Sequence, residues 1–329
     1  MRRRLVILFS LVLVVVVAAL ALTWIPSDHY IVLPDRARPT DPLVTIPGEE
    51  TGEDNGIHMV DVRVGRANLL ERIYPGIHDG ATLVPERVIN PTGVSDRQRR
   101  RSSLNDMSRS QLIAVAVALE ELGREVEVTP AGAEVVLVQP DAPADGVLQV
   151  GDVIVEAAGE EVETTDDLRR AFDGVEPGER MSIVVERDGR RVSRTVGTHA
   201  AADDPERAVM GVQVQNAEDF DFPLDIEIDA GGIGGPSAGL AFALDIVDEL
   251  GEDIARGRTI VATGELALDG SVLPIGGVEQ KAIGAREAGA DIFLVPDGNF
   301  EDAREAAGDD LEVIPVSTFE EALSALATG

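Results

Sequence analysis

The feature that most restricts this chain lies at its start. Residues 5–25 form a run of 21 residues in which only Ser10 and Thr23 are mildly polar. In hydrocarbon, backbone N–H and C=O groups must be satisfied within the segment, so a lone run of this kind is a helix there. At about 1.5 Å per residue it is long enough to cross a bilayer core. Arg2, Arg3 and Arg4 precede it and favour a cytoplasmic N-terminus, and Trp24 suits the far interface. The expectation is a single-pass anchor in the cell membrane through residues 5–25, with the C-terminal body outside the cytoplasm. A cleaved signal peptide is the competing reading, because Ala19-Leu20-Ala21 resembles a small-residue cleavage site. The uncleaved anchor is favoured, since the run continues past that site. Both readings export the body.

The chain has 329 residues, enough for two compact domains beyond the apolar run. A net charge of -32 argues against nucleic acid as a partner, because phosphates are gripped by clustered Arg and Lys. Cysteine is absent, which excludes disulfides, thiolate zinc sites and a cysteine nucleophile. Of the 28 basic residues, all but one are arginine, and the exception is Lys281. Arginine keeps its proton at any usable pH, whereas a buried lysine can lose it. A chain that uses arginine everywhere else invites a chemical reason for its lysine, although one leftover lysine has to fall somewhere.

Residues 1–26 are the basic end and the apolar helix. Residues 27–55 are rich in Pro, Asp, Glu and Gly, with Pro34, Pro39, Pro42 and Pro47 along them after Pro26, and read as an extended tether. In residues 56–123, the stretch 57–64 alternates like a strand. Residues 85–103 contain Arg97-Gln98-Arg99-Arg100-Arg101 and read as a solvated loop. Residues 108–122 read as an apolar-striped helix, opened by a Ser108 cap and closed by Gly123. Residues 124–198 make a strand-rich unit, with strands at 133–139, 152–157, 181–187 and 191–196, a helix at 165–172 and a turn at Asp188-Gly189. An open sheet edge beside a helix can accept an extended peptide. A purely structural spacer is the plainer alternative.

Residues 205–329 read as α/β. A strand at 224–228 runs into Asp229-Ala230-Gly231-Gly232-Ile233-Gly234-Gly235-Pro236-Ser237-Ala238-Gly239, and an apolar helix follows over 237–250. Ser237 then stands at a helix N-terminus, where unbonded N–H groups and the positive end of the dipole point outward. Such donors stabilise the oxyanion formed when a serine attacks a carbonyl, and the turn around Gly235, Pro236 and Ala238 is where they would lie. The bland alternative is that Ser237 only caps the helix. Phosphate binding is disfavoured because the P-loop pattern needs a lysine that this turn lacks. His29, His58, His78 and His199 all precede Ser237 in linker, strand or loop, which argues against a histidine-based triad.

Downstream, 259–268 alternates as a strand, Asp269-Gly270 makes a hairpin turn, and 271–275 pairs back. Gly276-Gly277 leads into a helix over 278–288, with Lys281 one turn inside it beside Ile275, Val278, Ala282 and Ile283. An apolar setting disfavours the ammonium form and lowers its pKa from roughly 10.4 toward neutrality. A neutral Lys281 can take the proton of Ser237, which needs an adjacent base to become a nucleophile. Thr263 and Glu265 are candidates to orient it. The pattern calls for no metal and no cofactor, and it contains no Walker motif for ATP.

GGPSAGL around Ser237, and TGELALDGSVLPIGGVEQKAIGAREAGADIFLVP over residues 263–296, resemble the proteolytic domain of Lon proteases. The resemblance covers residues 205–329 and implies a Ser-Lys dyad with Ser237 as nucleophile and Lys281 as base. Gly234 departs from the family, whose members often carry an acidic residue two positions before the proline of the serine motif. PDAPADGVLQVGDVIVEAAGEEV resembles a PDZ domain through Ala142, Gly146, Leu148, Gly151, Asp152 and Ile154, with Ala131-Gly132 as the candidate peptide-carboxylate loop. Together these pieces resemble bacterial membrane-bound Lon-like proteases with a PDZ domain.

The resemblance implies an α/β (α+β) Lon-type proteolytic domain with a small β-rich PDZ-like domain, behind one transmembrane helix. It implies an ATP-independent endopeptidase for unfolded or PDZ-presented proteins, in a homo-oligomer that the family suggests is a hexameric ring. Ser108-Arg109-Ser110-Gln111 and its helix resemble a piece of the Lon fold that precedes the serine segment, which would make the PDZ-like unit an insertion. The alternative is a proteolytically silent, membrane-anchored PDZ binding protein.

Overall fold

The computed structural model describes residues 2–48, 56–90, 93–251 and 253–327. Its first element, α1 (Arg2–Leu22), stands free of the body and is long and apolar enough to cross a membrane. The body begins directly after it with β1 (Pro26–Pro34), β2 (Arg38–Pro39), β3 (Ile57–Met59), β4 (Val62–Asn68), α2 (Leu69–Ile73) and β5 (Thr82–Pro85). β1 is the middle of an antiparallel sheet ordered β4-β1-β5. The tether expected over 27–55 is therefore structured up to Gly48, and residues 49–55 lie outside the described ones. Proline content misled because Pro26 and Pro34 occupy the two ends of β1, where a missing N–H is tolerated. Between them Tyr30, Ile31 and Val32 are buried. The strand expected over 57–64 is split at Val60-Asp61, and its halves enter different sheets.

Next comes α3 (Asp96–Glu121), which overturns the loop expected over 85–103. Its cap is Ser95, whose side chain accepts the Gln98 N–H. Ser108, expected as the cap, sits inside the helix and donates to the Leu104 carbonyl. The C-terminal half buries Ile113, Val115, Val117 and Leu119 in a core shared with a later helix. The N-terminal half has no apolar stripe because it bridges two parts of the body, a setting in which a helix can be polar all round.

The strand-rich unit consists of β6 (Glu127–Val138), β7 (Val153–Ala157), α4 (Thr165–Ala171), β8 (Arg180–Arg187) and β9 (Arg190–Gly197). A fifth strand, β10 (Val212–Asp221), completes the sheet in the order β9-β8-β7-β6-β10. Val135, Ile154, Leu168, Ile183 and Val185 form its core. Ala131-Gly132 lies within β6, not in a loop: the Gly132 N–H donates to the Glu163 carbonyl, and a Cβ there would lie 2.6 Å from the Ile154 oxygen. β6 and β10 pair from Val138↔Val212 to Glu127↔Asp221. One end of this ribbon packs into the strand-rich core, while Val126, Val128, Phe220 and Phe222 at the other end join the second core.

That second core surrounds α5 (Gly239–Leu250), β11 (Ile260–Ala262), β12 (Glu265–Leu266), β13 (Val272–Leu273), α6 (Val278–Ala288), β14 (Ile292–Pro296), α7 (Phe300–Ala307), β15 (Glu312–Val316) and α8 (Phe319–Ala327). The central sheet is ordered β2-β3-β11-β14-β15, parallel except for β2. Alternate residues of its strands face opposite ways. Ile260, Ala262, Ile292 and Leu294 pack with α3, α5 and α8, while Val261, Phe293 and Val295 pack with α6 and α7. Burial on both faces explains the continuous apolar runs. The strand expected over 224–228 is confined to Glu227–Ile228, which pairs with Val44–Thr45. The strand expected over 259–268 is interrupted at Thr263-Gly264, which leaves the sheet to meet the serine turn.

Candidate active site

The helix expected from residue 237 begins two residues later, at Gly239, with Ala238 in the cap position. Ser237 is thus in the turn itself, and it does not serve as the cap. Its backbone is pinned from the sheet side: the Gly264 N–H donates to the Ser237 carbonyl at 2.9 Å, and Thr263 Oγ1 donates to the same oxygen at 3.0 Å. A Cβ at Gly264 would fall 2.6 Å from Val272, so this close approach requires glycine.

From the other side α3 holds the glycine-rich turn. The Gly235 N–H donates to the Ser103 carbonyl at 2.7 Å, and Ser110 Oγ donates to the Pro236 carbonyl at 2.8 Å. The Arg100 guanidinium reaches the Gly232 carbonyl. A Cβ at Gly234 would stand 2.3 Å from Ser103 Oγ, so the acidic residue of the resembling family does not fit this conformation. Arg100 and Ser103 were not legible as site residues, because the run 97–101 reads as a solvated loop. Ser110 lies in the Ser108–Gln111 stretch flagged by resemblance.

Lys281 projects from the first turn of α6 into the same place. Its Nζ lies 2.6 Å from Ser237 Oγ and donates to Thr263 Oγ1 at 2.9 Å. The side chain is 2 % exposed. Burial lowers its pKa from 10.5 to about 7, opposed weakly by Asp61. An amine in this state has an acceptor lone pair for the serine proton. Thr263 accepts from the amine while donating to Ser237, which fixes the pair in one orientation. Glu265, the other candidate, makes no hydrogen bond to Lys281 among the described residues. Burial raises its carboxyl pKa, Arg109 of α3 opposes that, and Asp106 beside it is pushed up to about 6.

Pro236 has no N–H and the Gly235 N–H is taken, so neither donates to an oxyanion in this conformation. The N–H groups of Ser237 and Ala238 have no hydrogen-bond partner among the described residues. Among the described residues, the side-chain partner of Ser237 is Lys281. The cleft in front of the serine is about 410 Å³, lined by Asp61, Arg63, Arg100, Ile233, Ser237 and Lys281. A larger cavity, about 720 Å³, lies between α4 and β10 over Leu168, Phe172, Val212 and Val214. Among the described residues, no group of His, Cys, Asp or Glu side chains is arranged to hold a metal.

Residues 206–328 match the family of the Lon protease (S16) C-terminal proteolytic domain, and residues 120–198 match the PDZ domain family. The Lon protease of Rickettsia felis is 40% identical over 97 residues, which is 29% of this chain and 12% of that protein. Lon protease 2 of Thermus thermophilus is 41% identical over 100 residues, 27% of this chain and 12% of that protein. The chain thus spans only 12% of the length of these relatives. Among solved structures, the PDZ domain of the SdrC-like protein from Listeria monocytogenes is 21% identical, with a TM-score of 0.25, covering 27% of this chain and 92% of that one. The chain therefore carries a Lon-type proteolytic domain and a PDZ domain in a mixed α/β fold.

Proposed function

We propose that the chain is a membrane-anchored serine endopeptidase, independent of ATP, in which Ser237 is the nucleophile and Lys281 the general base. The observation that carries this reading is the 2.6 Å contact between Ser237 Oγ and a lysine amine that is buried and near neutral. Lys281 takes the hydroxyl proton as Oγ attacks the peptide carbonyl, then returns it to the leaving amine. The unpartnered N–H groups of Ser237 and Ala238 are placed to stabilise the oxyanion. α1 supplies the anchor, with the body outside the cytoplasm. The cavity between α4 and the outer edge of β10 offers an extended peptide an apolar bed beside unpaired strand groups. Unfolded or loosely folded proteins are the substrates, because this sequence contains no Walker motif to drive unfolding. Detergent-solubilised full chain should cleave unfolded casein, and Ser237→Ala and Lys281→Met should each lose about 10³-fold or more in rate. Equal cleavage by all three, or by none, would sink the dyad.

The PDZ domain is read as an insertion in the protease fold. β3 from the N-terminal part pairs with β11, and α3 packs on α5, so segments on both sides of the PDZ domain build one core. Thr129 and Asp219 are partners in the connecting ribbon. Replacing residues 130–218 with an Asn-Gly turn should leave a cooperatively unfolding remainder. Loss of its circular-dichroism transition would refute the insertion.

A further inference from the structure

Outside both cores, one group of large apolar side chains faces solvent. Trp24 is 84% exposed, Tyr74 66%, Ile73 65%, Val88 62% and Ile77 46%. They lie on segments attached to the chain just after α1. The Leu69 N–H donates to the Ile25 carbonyl at 2.9 Å, which ties α2 to the end of α1. Pro26 pairs with Asn68, immediately before α2, and His29 pairs with Pro85, immediately before the helical turn Glu86–Ile89 that carries Val88. Pro75–Ile77 forms a single 3-10 turn that brings Ile77 beside Ile73 and Tyr74.

Clustered apolar exposure of this kind marks a contact surface. Tyrosine and tryptophan favour the boundary between headgroups and acyl chains, and short amphipathic elements lie in that plane with their apolar side down. Arg87 adjoins Val88, as suits phosphate headgroups, while Arg72 is ion-paired with Asp28. The rest of the chain is strongly acidic and is repelled by an anionic surface, so apolar insertion has to supply the contact. We propose that Ile73, Tyr74 and Ile77 insert into the lipid interface beside α1, giving the body a second membrane contact that fixes its tilt. The inference rests on α1 being the anchor.

Trp24 is the sole tryptophan, so a double variant, Trp24→Phe with Tyr74→Trp, moves the only indole onto the patch. The full chain and the double variant are placed in vesicles of phosphatidylcholine and phosphatidylglycerol, with and without acyl-chain bromination near the headgroup. The proposal predicts blue-shifted emission from both proteins, lost largely to brominated lipid and little affected by aqueous iodide. Quenching of native Trp24 by bromolipid, with the relocated indole quenched only by iodide, would overturn the lipid contact and leave the anchor standing. An indole protected from both quenchers would assign the patch to a second copy of the chain, and would also overturn it. If bromolipid quenches neither protein, the anchor itself fails and the lipid contact with it.

Discussion

The PDZ domain and the Lon-type domain each bury an ionisable side chain, Asp152 at 0% exposure and Lys281 at 2%, and they accommodate it differently. Asp152 receives two Arg187 donors at 2.6 Å each and the Gln149 N–H at 2.9 Å. Among the described residues, Lys281 hydrogen-bonds only to the hydroxyls of Ser237 and Thr263, and Asp61 opposes its lowered pKa. The first group has an arginine partner that compensates its burial. The second sheds its charge because nothing adequate does. A compensated charge holds a loop to a strand, whereas an uncompensated amine is free to accept a proton.

Asp152→Ala leaves Arg187 without its partner and should cost about 3 kcal/mol in urea unfolding. Cleavage of a short peptide by the fraction still folded should change less than twofold. An unchanged midpoint would mean that the pair is ornamental.

Lys281→Met should have the opposite sign. The folded amine titrates at about 7 and the unfolded one near 10.5, so between those values the unfolded chain binds the extra proton. Burial of this lysine therefore destabilises fully below about pH 7, and the penalty fades as pH rises through the unfolded value. The shift corresponds to roughly 5 kcal/mol. With two hydrogen bonds lost, the methionine variant should gain about 2 kcal/mol at pH 7; at about 1.4 kcal/mol per pH unit the gain should vanish at about pH 8.5 and be reversed by about pH 10. Destabilisation at pH 7 would contradict the neutral-amine account.

The sequence carried the chemistry of this comparison better than its mounting. Ser237 and Lys281 could be picked out because one glycine-rich turn and one lysine stand out in spacing and composition; of the two residues offered beside them, Thr263 meets the amine and Glu265 does not. The clamp formed by Arg100 and Ser103 was hidden, since the first half of α3 contacts two units and shows no apolar stripe to betray a helix. β1 was hidden by prolines that mark only its ends. β10 could not be assigned to the PDZ sheet, because its partner β6 lies far back in the chain and an alternating strand does not declare its partner. The helix start was misplaced by two residues, which moved Ser237 from cap to turn.

The single lysine also makes the central claim directly measurable. In full chain grown on labelled lysine, one side-chain Cε or Nζ resonance reports Lys281 across a pH titration by NMR. The account predicts a midpoint near 7, and a midpoint near 10 would contradict it.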